Sequence, residues 1–168
     1  IHTHYDGQVT WENRLVPSTS HGVTTALLGN CGVGFAPCRP ADRERLVKLM
    51  EGVEDLPEVV LATGLPWNWE SFPEYLDALD ARRYDCDIAT QIPHAALRVF
   101  AMGQRAVARE AADAGDCALM ARLAGEAIDA GALGFGTSRT INHRASDGIP
   151  VPTLTAAEDE LAAIGAAL

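Results

Sequence analysis

Short apolar runs alternate with amphipathic segments along this chain, and that alternation restricts its fold more than any other feature. The apolar, β-branched run at 23–28 stops at Gly29 and predicts a buried strand. Residues 41–51 follow a proline and place three apolar side chains on one face, which predicts a helix. Strands that alternate with helices indicate βα units and a parallel sheet.

The same alternation continues through the middle of the chain. A second apolar run at 59–63 predicts another strand. Ser71 and Glu74 have the spacing of a capping box, which predicts a helix over 71–81. Residues 87–92 are rich in β-formers and predict a third strand.

The last third of the chain predicts two more helices and one more strand. Asp116 is suited to cap a long helix that Gly131 closes, and 132–137 reads as a short strand. Thr155 and Glu158 have the spacing of a second capping box. The helix that they open is expected to bury three apolar side chains, Leu161, Ile164 and Leu168.

The number of βα units indicates part of a larger fold. An eight-stranded (β/α)8 barrel of the TIM type needs about 250 residues, whereas this chain has 168. We therefore expect an α/β fold in which residues 1–168 form roughly the first half of such a barrel. We expect truncation at both ends, because the chain opens on Ile1 rather than Met and stops at its last helix. A small doubly wound sheet fits the same alternation.

Charge and hydropathy exclude several classes of partner. The net charge of −10 argues against nucleic acid and against an anionic membrane surface. The chain has no apolar run of about 18 residues and opens without a basic leader, so neither a transmembrane helix nor a secretory signal is predicted. A reducing, cytoplasmic setting is therefore expected for its four cysteines.

The strongest sign of chemistry is the histidine pair at the start of the chain. Because side chains alternate faces on a strand, His2 and His4 point the same way and can hold one metal ion. Asp6 lies on that face if the strand continues, where it would fix a ring nitrogen of a metal-binding histidine. An exposed histidine pair without a role is the competing interpretation.

A second candidate ligand lies in a glycine-rich turn after the first strand. Cys31 falls at the carboxyl end of the strand at 23–28, where barrel enzymes keep their catalytic groups. A cysteine sulfur is a good zinc ligand, and flanking glycines let the backbone approach an ion. A small buried core cysteine fits the same pattern.

Together these motifs resemble the D-aminoacylase branch of the amidohydrolase superfamily, the N-acyl-D-amino-acid deacylases. The resemblance runs in order through most of the chain and is carried by His2-Thr3-His4-Tyr5-Asp6, His21-Gly22-Val23-Thr24-Thr25, Gly29-Asn30-Cys31-Gly32-Val33-Gly34-Phe35-Ala36-Pro37, Ser71-Phe72-Pro73-Glu74-Tyr75-Leu76, Pro93-His94, Leu97-Arg98, Met102-Gly103 and Gly131-Ala132-Leu133-Gly134-Phe135. The Gly-Asn-Cys-Gly turn is the most specific part, since a cysteine replaces the bridging carboxylated lysine of relatives.

The resemblance implies a metal-dependent hydrolase barrel that uses zinc on a small-molecule N-acyl-D-amino acid. His2 and His4 would be ligands of a weakly held metal, and Cys31 a ligand of the tightly held zinc. The remaining metal histidines and the aspartate base would come from later strands, so no catalytic base is expected within this chain.

Three further residues are candidates for contact with substrate. His94 follows a predicted strand, and His143 and Arg144 lie in a polar loop on the expected catalytic side. A purely structural role is the alternative interpretation for each of these three residues. At 139–144 the sequence departs from the family that it resembles. This departure affects the expected choice of substrate and not the expected metal site.

Two other functions stay open at this stage. One is hydrolysis of a cyclic amide within the same superfamily, against which Cys31 speaks because those relatives have a lysine in another context. The other is a non-catalytic half-barrel that binds metal at most. The isolated fragment is expected to be inactive, and unstable or oligomeric, because an unclosed barrel exposes sheet edges and apolar helix faces.

Overall fold

The computed structural model describes residues 1–54 and 56–168. The strands are short: β1 Thr25–Leu28, β2 Asp87–Thr90, β3 Ile92–Pro93 and β4 Phe135–Gly136. The helices are α1 Arg43–Glu54, α2 Glu58–Gly64, α3 Phe72–Asp80, α4 His94–Met102, α5 Gln104–Val107, α6 Ala114–Asp129 and α7 Glu158–Gly165. Single 3-10 turns occupy Gln8–Thr10, Thr19–His21, Asn30–Gly32, Pro40–Asp42 and Pro152–Thr155.

The strands form two parallel pairs. β1 pairs with β2 in one two-stranded sheet, and β3 pairs with β4 in a second. On its other side β1 receives the start of the chain, since Thr3 N donates to Leu27 O at 3.1 Å and Leu27 N donates to Ile1 O at 2.8 Å. The predicted α/β fold with a parallel sheet is therefore observed, and the carboxyl ends of these segments meet at one edge.

Helices cover the strands with one continuous apolar core. The capping box of α3 is confirmed, because Ser71 Oγ accepts from Glu74 N while the Glu74 carboxylate accepts from Ser71 N. The most deeply buried apolar side chains come from both strands and helices and include Leu28, Leu46, Met50, Ile92, Leu97, Met120 and Ile164. Within the described ranges, no helix combines the length and the apolar character needed to cross a membrane.

The strand predicted at 59–63 is wrong, because these residues lie in helix α2. The helix begins after Pro57, and Glu58 N donates to Glu51 Oε1 at the turn before it. Leu61 is fully buried, whereas Val59 remains 70% exposed, so only one face of the run reaches the core. A short apolar run does not distinguish a strand from a helix by periodicity alone.

Two helix starts also differ from the sequence prediction. Asp113 rather than Asp116 is the N-cap of α6, and Asp116 completes the capping box from the third helical position. Thr155 does not cap α7, because its hydroxyl donates to Arg109 O and its backbone lies in a 3-10 turn. Of the apolar residues expected to face inward from α7, Ile164 is fully buried, whereas Leu168 is 50% exposed.

Candidate metal centre

The start of the chain and the turn after β1 bring two imidazoles and a thiol together. Nε2 of His2 lies 3.1 Å from Nε2 of His4 and 3.8 Å from Sγ of Cys31. One ligand atom from each of the three residues lies within 4.8 Å of the other two. The cluster stands at the edge of the sheet where the parallel strands end.

The turn that carries Cys31 is fixed by close backbone approach. Gly29 has φ +73°, and a Cβ there would lie 2.1 Å from Gln91 O, so only glycine fits. Cys31 itself adopts a left-handed φ of +54°. The Asn30 side-chain amide donates to Thr3 O and Leu27 O at 2.9 and 2.6 Å. These bonds tie the turn to the segment that carries the two histidines.

The donor set and its spacing fit a zinc ion. Zinc bonds of about 2.0–2.1 Å to nitrogen and about 2.3 Å to sulfur put tetrahedral neighbours roughly 3.3–3.6 Å apart. Two of the three observed separations, 3.1 and 3.8 Å, bracket that range, and the third, between His4 and Cys31, lies within 4.8 Å. His2, His4 and Cys31 would thus supply three ligand atoms to one ion.

Burial and neighbouring charges favour the neutral form of the His4 imidazole and the protonated form of the Cys31 thiol. Burial, followed by the charges of His2 and His143, lowers the pKa of His4 to about 4. Burial, followed by the charges of Glu54 and Asp6, raises the pKa of the Cys31 thiol. A neutral imidazole is already a ligand, whereas the thiol needs the metal to stabilise its thiolate.

Asp6 has a different role from the one that the sequence suggested. Its Oδ1 accepts a 2.7 Å hydrogen bond from Gly29 N, and no bond to a histidine nitrogen is formed. Burial raises the pKa of Asp6 to about 7, although the hydrogen bond from Gly29 opposes that shift. Asp6 therefore supports the turn that carries Cys31 rather than a metal-binding imidazole.

The residue that sequence reasoning missed is Glu54. Its Oε1 lies 3.1 Å from Nδ1 of His4, and both side chains are more than four-fifths buried. Glu54 is the last residue of α1. No local pattern connects it with the histidine pair, because the contact depends on where tertiary packing leaves the end of that helix.

His94 lies apart from the cluster in a buried network. Its Nδ1 contacts Thr137 Oγ1 and its Nε2 contacts Glu160 Oε1, both at 2.8 Å. Arg98 Nε donates to the same carboxylate oxygen at 2.7 Å. His94 is fully buried and both of its ring nitrogens are engaged in this network, so the structure does not bring it together with His2, His4 and Cys31.

The other two substrate candidates lie on a hairpin beside the cluster. His143 is close enough to His4 for its charge to lower the pKa of that residue. Its Nδ1 contacts Ser138 Oγ at 3.2 Å. Arg144 is exposed, and its guanidinium donates to Gly148 O at 3.0 Å. The hairpin thus brings one imidazole towards the cluster and presents one exposed cation.

Comparison with known proteins places the whole chain in one family. The model of the amidohydrolase family matches residues 1–168. A D-aminoacylase of Alcaligenes xylosoxydans xylosoxydans is 33% identical over 138 residues, which cover 81% of this chain and 25% of that protein. An uncharacterized protein of Mycobacterium tuberculosis is 33% identical over 139 residues, which cover 80% of this chain and 22% of the relative.

Solved structures of deacylases are similar to this chain in fold. A D-aminoacylase described with a binuclear metal center superposes with a TM-score of 0.70 at 28% identity, over 97% of this chain and 30% of the other. An N-acyl-D-glutamate deacylase from Bordetella bronchiseptica, complexed with zinc and a phosphonate inhibitor, gives a TM-score of 0.67 at 28% identity, over 99% of this chain and 30% of the other. This chain therefore spans only 22% to 30% of the length of these proteins.

Proposed function

Because this chain belongs to the amidohydrolase family, in its D-aminoacylase branch, we propose that it forms part of a zinc-dependent enzyme that hydrolyses the amide bond of N-acyl-D-amino acids. One observation carries the proposal. His2, His4 and Cys31 converge at the carboxyl edge of parallel strands. In barrel enzymes the active site lies at that edge.

The architecture that we propose is a part of a (β/α)8 barrel, with residues 1–168 as its N-terminal portion. Four parallel segments support it, since the chain start pairs with β1, β1 pairs with β2, and β3, which follows β2 after one residue, pairs with β4. Helices occupy each connection after β1. A doubly wound sheet would reverse its strand order at some point, and the described strands do not.

In this proposal His2, His4 and Cys31 hold the metal. A zinc ion held there would supply Lewis-acid polarisation of the scissile carbonyl and a water molecule of lowered pKa. The Asn30 amide and the Asp6 carboxylate keep the Cys31 turn in place by their bonds to the backbone. We propose that the remaining ligands and the general base lie in the part of the relatives that this chain does not span.

The relatives indicate the substrate class that we propose. The D-aminoacylase, N-acyl-D-aspartate deacylase and N-acyl-D-glutamate deacylase relatives support an N-acyl-D-amino acid. His143 and Arg144 are proposed to contact it, because their hairpin lies beside His4 and a guanidinium suits a substrate carboxylate. A cytoplasmic location is proposed on the four free thiols, which suit a reducing compartment.

A second candidate is a metal-binding polypeptide without turnover. It is favoured by the three candidate metal ligands that this chain supplies, while the general base is expected outside it. In both candidates the same three residues bind the metal. They differ only in whether hydrolysis follows, so one experiment separates them.

That experiment measures zinc content and amine release on the same sample. The full-length protein that contains this chain, in which the proposed remaining ligands and general base would be present, is loaded with zinc and incubated with N-acetyl-D-amino acids and their L enantiomers. Release of D-amino acid that stops in Cys31→Ser supports the deacylase. Stoichiometric zinc without amine release supports the metal-binding polypeptide, and the absence of stoichiometric zinc contradicts both.

A further inference from the structure

The contact between Glu54 and His4 has a specific chemical consequence. An imidazole offers a lone pair at one nitrogen only when the proton sits on the other. In His4, Nε2 faces His2 at 3.1 Å, and Nδ1 faces the Glu54 carboxylate at 3.1 Å. The carboxylate therefore stabilises the proton on Nδ1, and the lone pair of Nε2 is directed into the cluster.

The contact is electrostatic in this structure. Oε1 of Glu54 lies at the distance of an ion pair, but Nδ1 of His4 has no partner with the alignment of a hydrogen bond. Both side chains are shielded from water, with 17% and 19% of their surface exposed. A carboxylate this close to a shielded N–H acts more strongly than it would in solvent.

The end of α1 is held firmly enough to act as a support. Leu46, Leu49 and Met50 anchor the helix in the core. On another face Gly52 packs against the 143–151 hairpin, where a Cβ would lie 2.1 Å from Arg144 O. A side chain can position another only when packing fixes its own location. The packing of α1 meets this condition for Glu54.

We propose that Glu54 is the positioning residue of His4, which holds the proton on Nδ1 and turns the Nε2 lone pair towards the metal. The inference rests on the proposed zinc site and adds a residue that positions one of its ligands. Partners of this kind fix the tautomer and the ring orientation of metal-binding histidines. Glu54 acts through His4 and is not itself a ligand in this proposal.

Three variants test the assignment. Glu54→Ala removes the carboxylate, and Glu54→Gln keeps an oxygen acceptor but removes the charge. Glu44→Gln is the matched control, since Glu44 is an exposed carboxylate of the same helix that pairs with Lys48 instead. Thermal unfolding of each variant checks that the fold survives, and if Glu54→Ala fails to fold, Glu54→Gln decides.

The first readout is the tautomer of His4 in the metal-free protein, measured by long-range 1H–15N correlation. The protein should carry the proton on Nδ1, and Glu54→Ala should move a large share of it to Nε2. Glu44→Gln should match the unmodified protein. An unchanged tautomer in both Glu54 variants would overturn the proposal.

The second readout is the zinc dissociation constant, measured by competition with a chromophoric chelator. Loss of such a partner typically weakens binding by about 10- to 100-fold, so Glu54→Ala should fall in that range and Glu54→Gln should lose less. An affinity within about twofold of the unmodified protein in Glu54→Ala would overturn the proposal. If the tautomer depends on Glu54 but no variant binds zinc, the positioning role stands and the proposed function fails.

Discussion

Sγ of Cys31 lies 3.8 Å from Nε2 of His2, across 29 positions of sequence. The contact forms because the chain start pairs with β1 and the turn after β1 folds back over it. The thiol and the imidazoles thereby become one donor set with the chemistry of a zinc site.

Loss of the thiol should abolish tight zinc binding. We expect Cys31→Ser to retain the fold, because serine is similar in size, and to lose most of its zinc after dialysis. Cys86→Ser is the matched control, since Cys86 is also partly exposed but lies outside the cluster. Metal analysis of both variants checks this, and equal zinc in the two would contradict the role of Cys31.

The buried carboxylate of Glu160 should be essential for stability. It accepts from Arg98 and contacts His94, and all three side chains are at most 1% exposed. Glu160→Gln leaves the Arg98 cation without a counter-charge, which typically costs about 3–5 kcal/mol. Glu158→Gln, an exposed change in the same helix, should cost far less. Urea unfolding compares the two, and equal losses would show that the network contributes little.

The buried network of His94 and Glu160 should lose stability in two steps as the pH is lowered. Burial lowers the pKa of His94 below its ordinary 6.5, so protonation favours the unfolded chain as the pH falls through about 6.5. Burial alone would raise the pKa of Glu160, but hydrogen bonds from His94 and Arg98 lower it below 4.5. That contribution is present above pH 4.5 and is lost as the pH falls further.

The first of these steps is assigned by one variant. His94→Gln should reduce the fall of unfolding free energy below pH 6.5, with His4 still contributing there, and leave the step below 4.5 in place. Unfolding free energies at a series of pH values measure both steps. A His94→Gln protein with an unchanged step near pH 6.5 would assign that step to another group.

The turn below Cys31 should not tolerate a side chain. Gly29→Ala would place a Cβ 2.1 Å from Gln91 O in a left-handed backbone. We expect a loss of more than about 2 kcal/mol in stability, together with weaker zinc binding. Gly165→Ala is the control, since nothing lies within 4 Å of its Cβ and alanine favours helix. A Gly29→Ala protein as stable as the control would contradict the packed turn.

The 168-residue chain should self-associate or unfold readily when it is produced alone. Large apolar side chains remain on its surface, with Val59, Leu133 and Ile141 each at least 67% exposed. Exposed patches and open sheet edges favour association. Sedimentation velocity and thermal melting test this, and a monodisperse monomer with a cooperative melt would contradict it.

The sequence predicted the type of fold better than its details. Alternating periodicity indicated the parallel strands, and the Ser71 capping box located α3, because both signals are local. The run at 59–63 misled, because short apolar segments fit a strand and a helix equally. The start of α6 was misplaced by three residues, since Asp113 and Asp116 both suit an N-cap.

The sequence also predicted only part of the candidate site. His2, His4 and Cys31 were selected from motifs, and the structure brings them together. Asp6 was assigned to a histidine but bonds Gly29, because the chain leaves the strand direction before that residue. Glu54 left no trace in the sequence, since its contact depends on the placement of a whole helix.

Zinc-edge X-ray absorption of the zinc-loaded protein tests the proposed zinc site most directly. We expect one sulfur at about 2.3 Å and nitrogen ligands at about 2.0–2.1 Å in the first shell. The sulfur should vanish in Cys31→Ser. A first shell made only of oxygen, or a sulfur that persists in Cys31→Ser, would contradict the zinc site of His2, His4 and Cys31.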